Sequence, residues 1–227
     1  MTLTKTEQFD KVLFEYRWQE IRKHANYFPV LDVGCGDGVM VKRLMSGNLK
    51  KVIGIDFTEE VESLCKAYPT EFIYGKFEDI KIPNFKFKKI IASHVLEHVD
   101  DEYKFLNQCR DWLDDDEFAE LIITVPNARA IHKHLGEIMG LSKPFELQPS
   151  DLAKGHKRNY SLETLKATLE ASGFIVDVHR GIYFKPLPSE LMITYFDQPM
   201  FDAFYELGKR SDLEPYCSSI LVVARKK

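Results

Sequence analysis

The sequence has no apolar run of about 18 residues or more, so no membrane-spanning helix is expected and no membrane partner. It has little cysteine. Cys35, Cys65, Cys109 and Cys217 lie far apart, with no C-x-x-C and no Cys/His metal spacing. That pattern excludes a disulfide framework and predicts reduced, mostly buried thiols. It has no excess of positive charge. Lys plus Arg is 31 against 35 for Asp plus Glu, a net charge of −4, so no large electrostatic footprint for nucleic acid is expected. No Gly/Ser linker, low-complexity tract or internal repeat divides the chain, and residues 1–227 read as one domain. The opening MTLTKTEQFDKVLF carries charge from Lys5 onward and lacks the apolar core of a signal peptide, which predicts a cytoplasmic protein.

What is present is alternation. Phe9, Val12, Leu13 and Tyr16 recur at helical spacing and predict an N-terminal helix over 5–26 within a 1–28 segment. Short, almost wholly apolar runs follow at 30–33, 52–55, 72–74, 89–92, 121–125, 175–180 and 219–224. Helical stripes separate most of them: one at 40–45 stopping at Gly47, one at 58–67, one over Phe105 to Leu113, and one from Ser161 to Ser172. Strands without polar alternation, separated by helices, predict an α/β doubly wound, mostly parallel seven-stranded sheet with helices on both faces. Residues 126–160 and 181–216 break the pattern and are rich in Pro, His and aromatics. They read as lid or acceptor-pocket segments inserted into the sheet domain.

The informative stretch is Leu31-Asp32-Val33-Gly34-Cys35-Gly36-Asp37-Gly38, between the first strand and a helix. Glycines allow a tight turn and close approach of a ligand to bare backbone, and the helix behind offers free N–H groups. Val39 stands where a dinucleotide fingerprint wants Gly or Ala, and Asp32 precedes the loop; both features disfavour a nicotinamide-dependent oxidoreductase. Asp56 ends the next strand, about 20 residues on, where an acidic side chain accepts ribose hydroxyls.

These residues resemble a class I S-adenosylmethionine-dependent methyltransferase of the small-molecule-methylating group, whose fold is Rossmann-like. LDVGCGDG resembles its first motif, IGIDF its second, YGKFEDIKIP its third, FKKIIASHVLEHV its fourth and LIITVPN its fifth strand. GHKRNYSLETLKATLEASGF resembles a late segment of enzymes acting on small metabolites. The resemblance implies S-adenosylmethionine as cofactor and S-adenosylhomocysteine as product. It implies that Asp32, Gly34, Cys35, Gly36 and Gly38 border the amino-acid end, that Asp56 holds the ribose and that Phe57 packs on the adenine. Phe77 and Glu78 would approach the adenine edge, Phe77 partly through its backbone. Ser93 and His94 would lie near the sulfur. Lys76 stands where many relatives have Asp, and a cation cannot accept a hydrogen bond from the adenine amine.

Methyl transfer needs an acceptor atom held in line with the sulfonium methyl. A hydroxyl acceptor benefits from a base, often His. His98, His94 and His156 are the candidate catalytic residues. His94 and His98 stand at i and i+4 in SHVLEHV, a spacing that would put them on one helical face; Glu97 is not placed as in H-E-x-x-H, and no metal is expected. His132, His156, Arg158, Tyr183 and Tyr195 are the candidate acceptor-binding residues, with Arg158 and Lys157 able to hold an acidic acceptor. Tyr16 and Arg17 could close over the cofactor carboxylate. The predicted function is methylation of a hydroxyl or amine on a small-molecule acceptor, for instance a saccharide or nucleotide-linked metabolite, by a monomer or homodimer. A catalytically silent cofactor-binding subunit, or a protein or nucleic-acid methyltransferase of the same fold, is the alternative.

Overall fold

A computed structural model describes residues 3–46, 51–68, 71–82, 85–143 and 145–227. The helix cap expected at Gly47, and Pro83 at the end of the third motif, lie outside the described residues. Seven strands form one sheet: β1 (Val30–Val33), β2 (Val52–Asp56), β3 (Phe72–Tyr74), β4 (Lys89–Ser93), β5 (Glu120–Pro126), β6 (Phe174–Ile182) and β7 (Ser219–Lys226). Their order is β3-β2-β1-β4-β5-β7-β6, with β7 antiparallel to both neighbours and the first five strands parallel. This is the doubly wound sheet that the apolar runs predict.

The central apolar runs are buried on both faces because their residues alternate between two cores. Leu31, Ile90, Ala92, Leu121 and Ile123 face one core, into which α4 (Glu102–Trp112) and α7 (Leu162–Ala171) pack Phe105, Cys109, Leu165 and Leu169. Val30, Ile91, Ile122, Leu221 and Val223 face the other, completed by α1 (Lys5–Ile21), α2 (Val39–Ser46) and α3 (Glu59–Ala67). α1 begins at a capping box, with Thr4 accepting from the Glu7 amide and Glu7 returning to Thr4. It ends at Ile21, five residues before the expected boundary.

The two irregular segments fold differently from each other. Residues 126–160 carry α5 (Ile131–Ile138) and α6 (Pro149–Ala153), neither of which buries a residue in the core. This excursion leaves and returns at one point, where Asn127 bridges Tyr160 and the Ala128 amide donates to the Tyr160 carbonyl at 2.7 Å. Residues 181–216 carry α8 (Ser189–Tyr195) and α9 (Gln198–Leu207), which pack on α1. Phe9 meets Phe201 edge-on, Tyr16 stacks on Tyr205, and the Tyr16 hydroxyl donates to Asp202 at 2.6 Å. Much of 181–216 thus covers α1, and its stretch from Lys185 to Leu191 turns toward the site.

Strand order reverses between β1 and β4, and the crevice outside the carboxyl ends of those strands is where ligands bind in such sheets. The glycine loop, Asp56 and the residues after β4 and β5 all lie at that edge.

Candidate active site

The glycine loop is built by backbone conformations that favour glycine. Gly34, Gly36 and Gly38 have φ of +70°, +53° and +71°. A Cβ at Gly34 would stand 2.5 Å from Cγ2 of Val95, and one at Gly38 2.8 Å from the Phe72 ring. A Cβ at Gly36 would meet nothing within 4 Å. The first and third glycines therefore let the loop pack, whereas Gly36 presents bare backbone to the crevice. Its amide donates to Asp56 Oδ2 at 2.8 Å, while Asp56 Oδ1 accepts from the Phe57 amide at 2.7 Å. A carboxylate oxygen has two lone pairs, so Asp56 keeps acceptor capacity for a diol.

Asp32 is buried beside it, with Oδ2 lacking any partner, and burial followed by the Asp56 charge pushes its carboxyl up to about 8. An orphaned buried acceptor is costly, and a donor from a bound molecule would relieve it. Phe57 is 61% exposed, a ring free to cover a planar ligand. Glu78 is half-buried. Ser93 shares a hydrogen bond with Thr124 at 3.0 Å, and the Cys35 thiol is buried and pushed well up by that burial. The open face at Gly36, the orphaned Asp32 oxygen and the diol-accepting Asp56 fit a nucleoside bearing a cationic amino-acid arm. Of the contacts expected of Phe77, the side-chain one is corrected. Its ring is buried against Phe105 and Trp112, and its carbonyl accepts from Gln108, so it supports the loop from within the core.

His94 and His98 lie on a turn, not on the helix that their spacing suggests. β4 ends at Ser93, and His94 takes φ +58°, a conformation that histidine tolerates better than branched residues. The His98 amide then donates to the Val95 carbonyl at 2.9 Å, closing the turn. Its consequence is to bring Glu97 inward. Glu97 is 1% exposed, both carboxylate oxygens lack hydrogen-bond partners, and burial pushes its carboxyl up to about 8. Oε1 lies 3.6 Å from His94 Nδ1 and 4.0 Å from His98 Nε2. His94 Nε2 meets Ser219 Oγ at 3.2 Å, and His98 Nδ1 meets the Gly155 carbonyl at 3.3 Å.

The ring of His156 packs edge-on to His98 at 4.8 Å, with Nδ1 3.6 Å from Asp151. Burial holds all three imidazoles below their ordinary range, His94 well below, so they are neutral near pH 7. The fold also assembles what sequence spacing does not show: Glu97, His98 and His156 place three ligand-type atoms within 4.8 Å of one another, a donor set that suits a borderline divalent cation.

A cavity of about 1000 Å³ adjoins this cluster. His94, His98, His132 and His156 line it, together with Arg17 from α1 and Lys185 after β6. The 126–160 excursion supplies much of the remaining wall. Three expected acceptor contacts are corrected. Arg158 donates to the carbonyls of Leu96, Val99 and Asp100 and pairs with Glu102 at 2.8 Å; it pins the histidine turn, and Lys157 is bonded to Asp100. Tyr183 is 1% exposed among Phe9, Tyr16 and Phe204 in the α1 layer. Tyr195 is 71% exposed at the end of α8 and does not line the cavity. Tyr16 is likewise core, which leaves Arg17 alone of that pair facing the cavity. Glu97, Ser219 and Lys185 were not singled out as site residues by sequence reasoning. A lone lysine in the aromatic and proline-rich stretch Tyr183-Phe184-Lys185-Pro186 is the one available signal, since such surroundings favour burial.

The buried acids set a pH dependence. In the folded apoprotein Glu97 keeps its proton from its ordinary value of 4.5 up to about 8, whereas the unfolded chain has lost it. The native state binds more protons across that window, so stability falls as pH rises through it. Glu97→Gln is expected to flatten the decline in melting temperature between about pH 5 and pH 8, by up to about 1.4 kcal/mol per pH unit for one proton. Calorimetric melts of both proteins over that range check it; parallel curves would count against the buried, protonated Glu97.

Residues 9–178 match the family described as Methyltransferase domain. Human mitochondrial ubiquinone biosynthesis O-methyltransferase is 30% identical over 171 residues, 69% of this chain and 44% of that protein. The tRNA U34 carboxymethyltransferase of Shewanella sp. (strain W3-18-1) is 30% identical over 110 residues, 44% of this chain and 33% of that protein. The chain thus spans less than half the length of these curated relatives. Among solved structures, an S-adenosylmethionine-dependent methyltransferase from Mesorhizobium loti shares the fold with a TM-score of 0.64 at 18% identity, covering 93% of this chain and 98% of that one. With the sheet order, the glycine loop and Asp56 in place, the match over three quarters of its length assigns the chain to the class I S-adenosylmethionine-dependent methyltransferases.

Proposed function

We propose that the chain methylates a small-molecule acceptor seated in the cavity, at a hydroxyl oxygen, with a neutral histidine taking the hydroxyl proton. The observation that carries this reading is the turn after β4, which sets His94 and His98 at the cavity wall with Glu97 buried behind them, and packs Val95 against Gly34 of the cofactor loop. S-adenosylmethionine supplies an electrophilic methyl group on a sulfonium. The glycine loop, Asp32, Asp56 and Phe57 would hold it, and Arg17 would face its carboxylate.

His98 has the best geometry for the base. Its Nδ1 lies against the Gly155 carbonyl, which fixes the proton on that nitrogen and leaves the Nε2 lone pair available. Glu97, protonated in the resting protein, lies 4.0 Å from Nε2, and the imidazolium charge that forms there favours its ionisation. His156, packed on the His98 ring, is the second candidate and shares the same surroundings. An amine acceptor needs no such base once neutral, so three depressed imidazoles favour oxygen. The ubiquinone-biosynthesis relative is an O-methyltransferase by name, which supports the same choice.

Two measurements test this. Calorimetry is expected to show binding of S-adenosylmethionine and S-adenosylhomocysteine, and its absence sinks the reading. Asp56→Ala should weaken that binding by about 1–3 kcal/mol through loss of hydrogen bonds to a charged acceptor; an unchanged affinity refutes the ribose assignment. A screen of hydroxyl- and amine-bearing acceptors, read by release of S-adenosylhomocysteine, then decides oxygen against nitrogen.

A further inference from the structure

The cations of the cavity are not equivalent. Lys133 is answered by Asp151 at 3.3 Å and Lys154 by Asp10 at 3.1 Å. Lys185 is not answered. Its ammonium donates to Ser189 Oγ at 3.0 Å, and among the described residues it makes no ion pair within 4.0 Å. Asp10 lies close enough to act on it through space but is bonded to Lys154, and Glu190 at the rim makes no pair with it. Beside Lys185 stands His132, whose buried Nδ1 has no hydrogen-bond partner. Both residues line the cavity.

A half-buried ammonium without a counter-charge and a buried imidazole nitrogen without a hydrogen-bond partner are expensive unless something completes them. Burial drives Lys185 down to about 8 against the opposing pull of Asp10, and burial with the Lys185 charge beside it drives His132 to about 3 although the Lys185 backbone accepts from its ring. An oxyanion between them would accept from the ammonium and from an imidazole N–H. It would supply the missing charge in the same cavity as the Glu97 cluster, held by the segments after β6 and β5, whereas His94 and His98 come from the turn after β4.

We propose that Lys185 and His132 form a subsite for an oxyanion carried by the acceptor, so that the substrates are small hydroxy acids or phosphorylated hydroxyl compounds. This rests on the methyltransferase reading and names its substrate class. The anion anchors one end of the acceptor and leaves its hydroxyl free to reach His98.

The test reads Lys185 directly. Protein labelled with 13C at lysine Cε is titrated with pH, with and without S-adenosylhomocysteine, and the Lys185 signal is assigned by its loss in Lys185→Gln. Benzoate and inorganic phosphate are the probes, with benzamide as the neutral control. At least one anion is expected to shift the signal saturably and to raise its titration midpoint by about one pH unit, the mark of a tenfold preference for the charged form. Benzoate responding alone points to a carboxylate acceptor, and phosphate alone to a phosphorylated one. Lys185→Gln and His132→Ala should weaken anion binding about 30-fold or more while Lys185→Arg holds it within a few-fold, and cofactor-product affinity should stay within about twofold in all three. The proposal is overturned if neither anion moves Lys185, if benzamide moves it equally, or if S-adenosylhomocysteine alone raises the midpoint and competes with the anions, which would make this the cofactor's own carboxylate site. Wild-type protein that binds no S-adenosylhomocysteine overturns the methyltransferase reading instead, and the cofactor-free titration still decides the subsite.

Discussion

Replacing His98 with alanine is expected to lower turnover by about 10²–10⁴-fold while S-adenosylmethionine affinity is kept, the span by which a positioned general base contributes. The separation follows from geometry. Asp32, Asp56 and the glycine loop lie at the ends of β1 and β2, whereas His98 touches the Gly155 carbonyl and the Glu97 carboxylate beside the cavity. The measurement is release of S-adenosylhomocysteine at saturating acceptor, with cofactor affinity by calorimetry. If His156 is the base instead, His156→Ala carries the large loss and His98→Ala a smaller one through the lost ring contact. Wild-type turnover in both variants removes both. A pH profile sharpens the outcome: the base acts in its neutral form, and burial holds both imidazoles down, so the acidic limb of kcat/KM should lie below the ordinary histidine value of 6.5. Glu97→Gln exchanges one neutral group for another beside Nε2 below about pH 8, so that limb should stay in place.

Gly34→Ala is expected to damage folding and cofactor binding together. The φ of +70° costs an L-residue about 1–2 kcal/mol. The added methyl meets Val95 Cγ2 at 2.5 Å, an overpacking that costs a further 1–3 kcal/mol or about that. Relief of that clash moves Val95, and with it the turn holding His94 and His98. Gly36→Ala is the contrasting case. It has a similar φ but open space around the new methyl, so its stability loss is confined to the backbone share, while the methyl projects toward the space where the cofactor must approach the backbone. Melting temperature and cofactor affinity, measured on both, should show Gly34→Ala the less stable fold and Gly36→Ala the purer binding defect. Val95→Ala added to Gly34→Ala should recover part of the stability; no recovery would refute the packing explanation.

Much of this molecule was legible because its sheet is buried on both faces. Runs such as Leu121-Ile122-Ile123 need apolar residues toward two cores at once, and that demand writes the central strands into the sequence. The glycine loop was legible for a related reason, since few residues other than glycine take three positive φ values in five positions. The three candidate histidines were legible too, but not the turn that carries two of them or the buried Glu97 beside them. A four-residue spacing of histidines serves a helix and a turn alike, and the left-handed His94 that decides between them leaves no mark in the letters. Arg158 looked like an anion ligand because its partners are three backbone carbonyls about 60 residues earlier, invisible to any motif. Phe77 and Tyr183 stand beside functional segments yet point into the core, and sequence neighbours do not report side-chain direction.

The excursion from Asn127 to Tyr160 enters and leaves the fold through one bridge, so its ends are already joined by the sheet domain. Closing a longer or shorter chain between fixed, adjacent ends changes the loop entropy only slowly with length. The acceptor wall can therefore be exchanged as a cassette. Grafting a different segment there, with Gly155, His156 and Arg158 retained, would alter the chamber while the turn after β4, and the cofactor loop that its Val95 packs against, keep their supports. Such a division lets one scaffold acquire new acceptors without renegotiating its methyl donor.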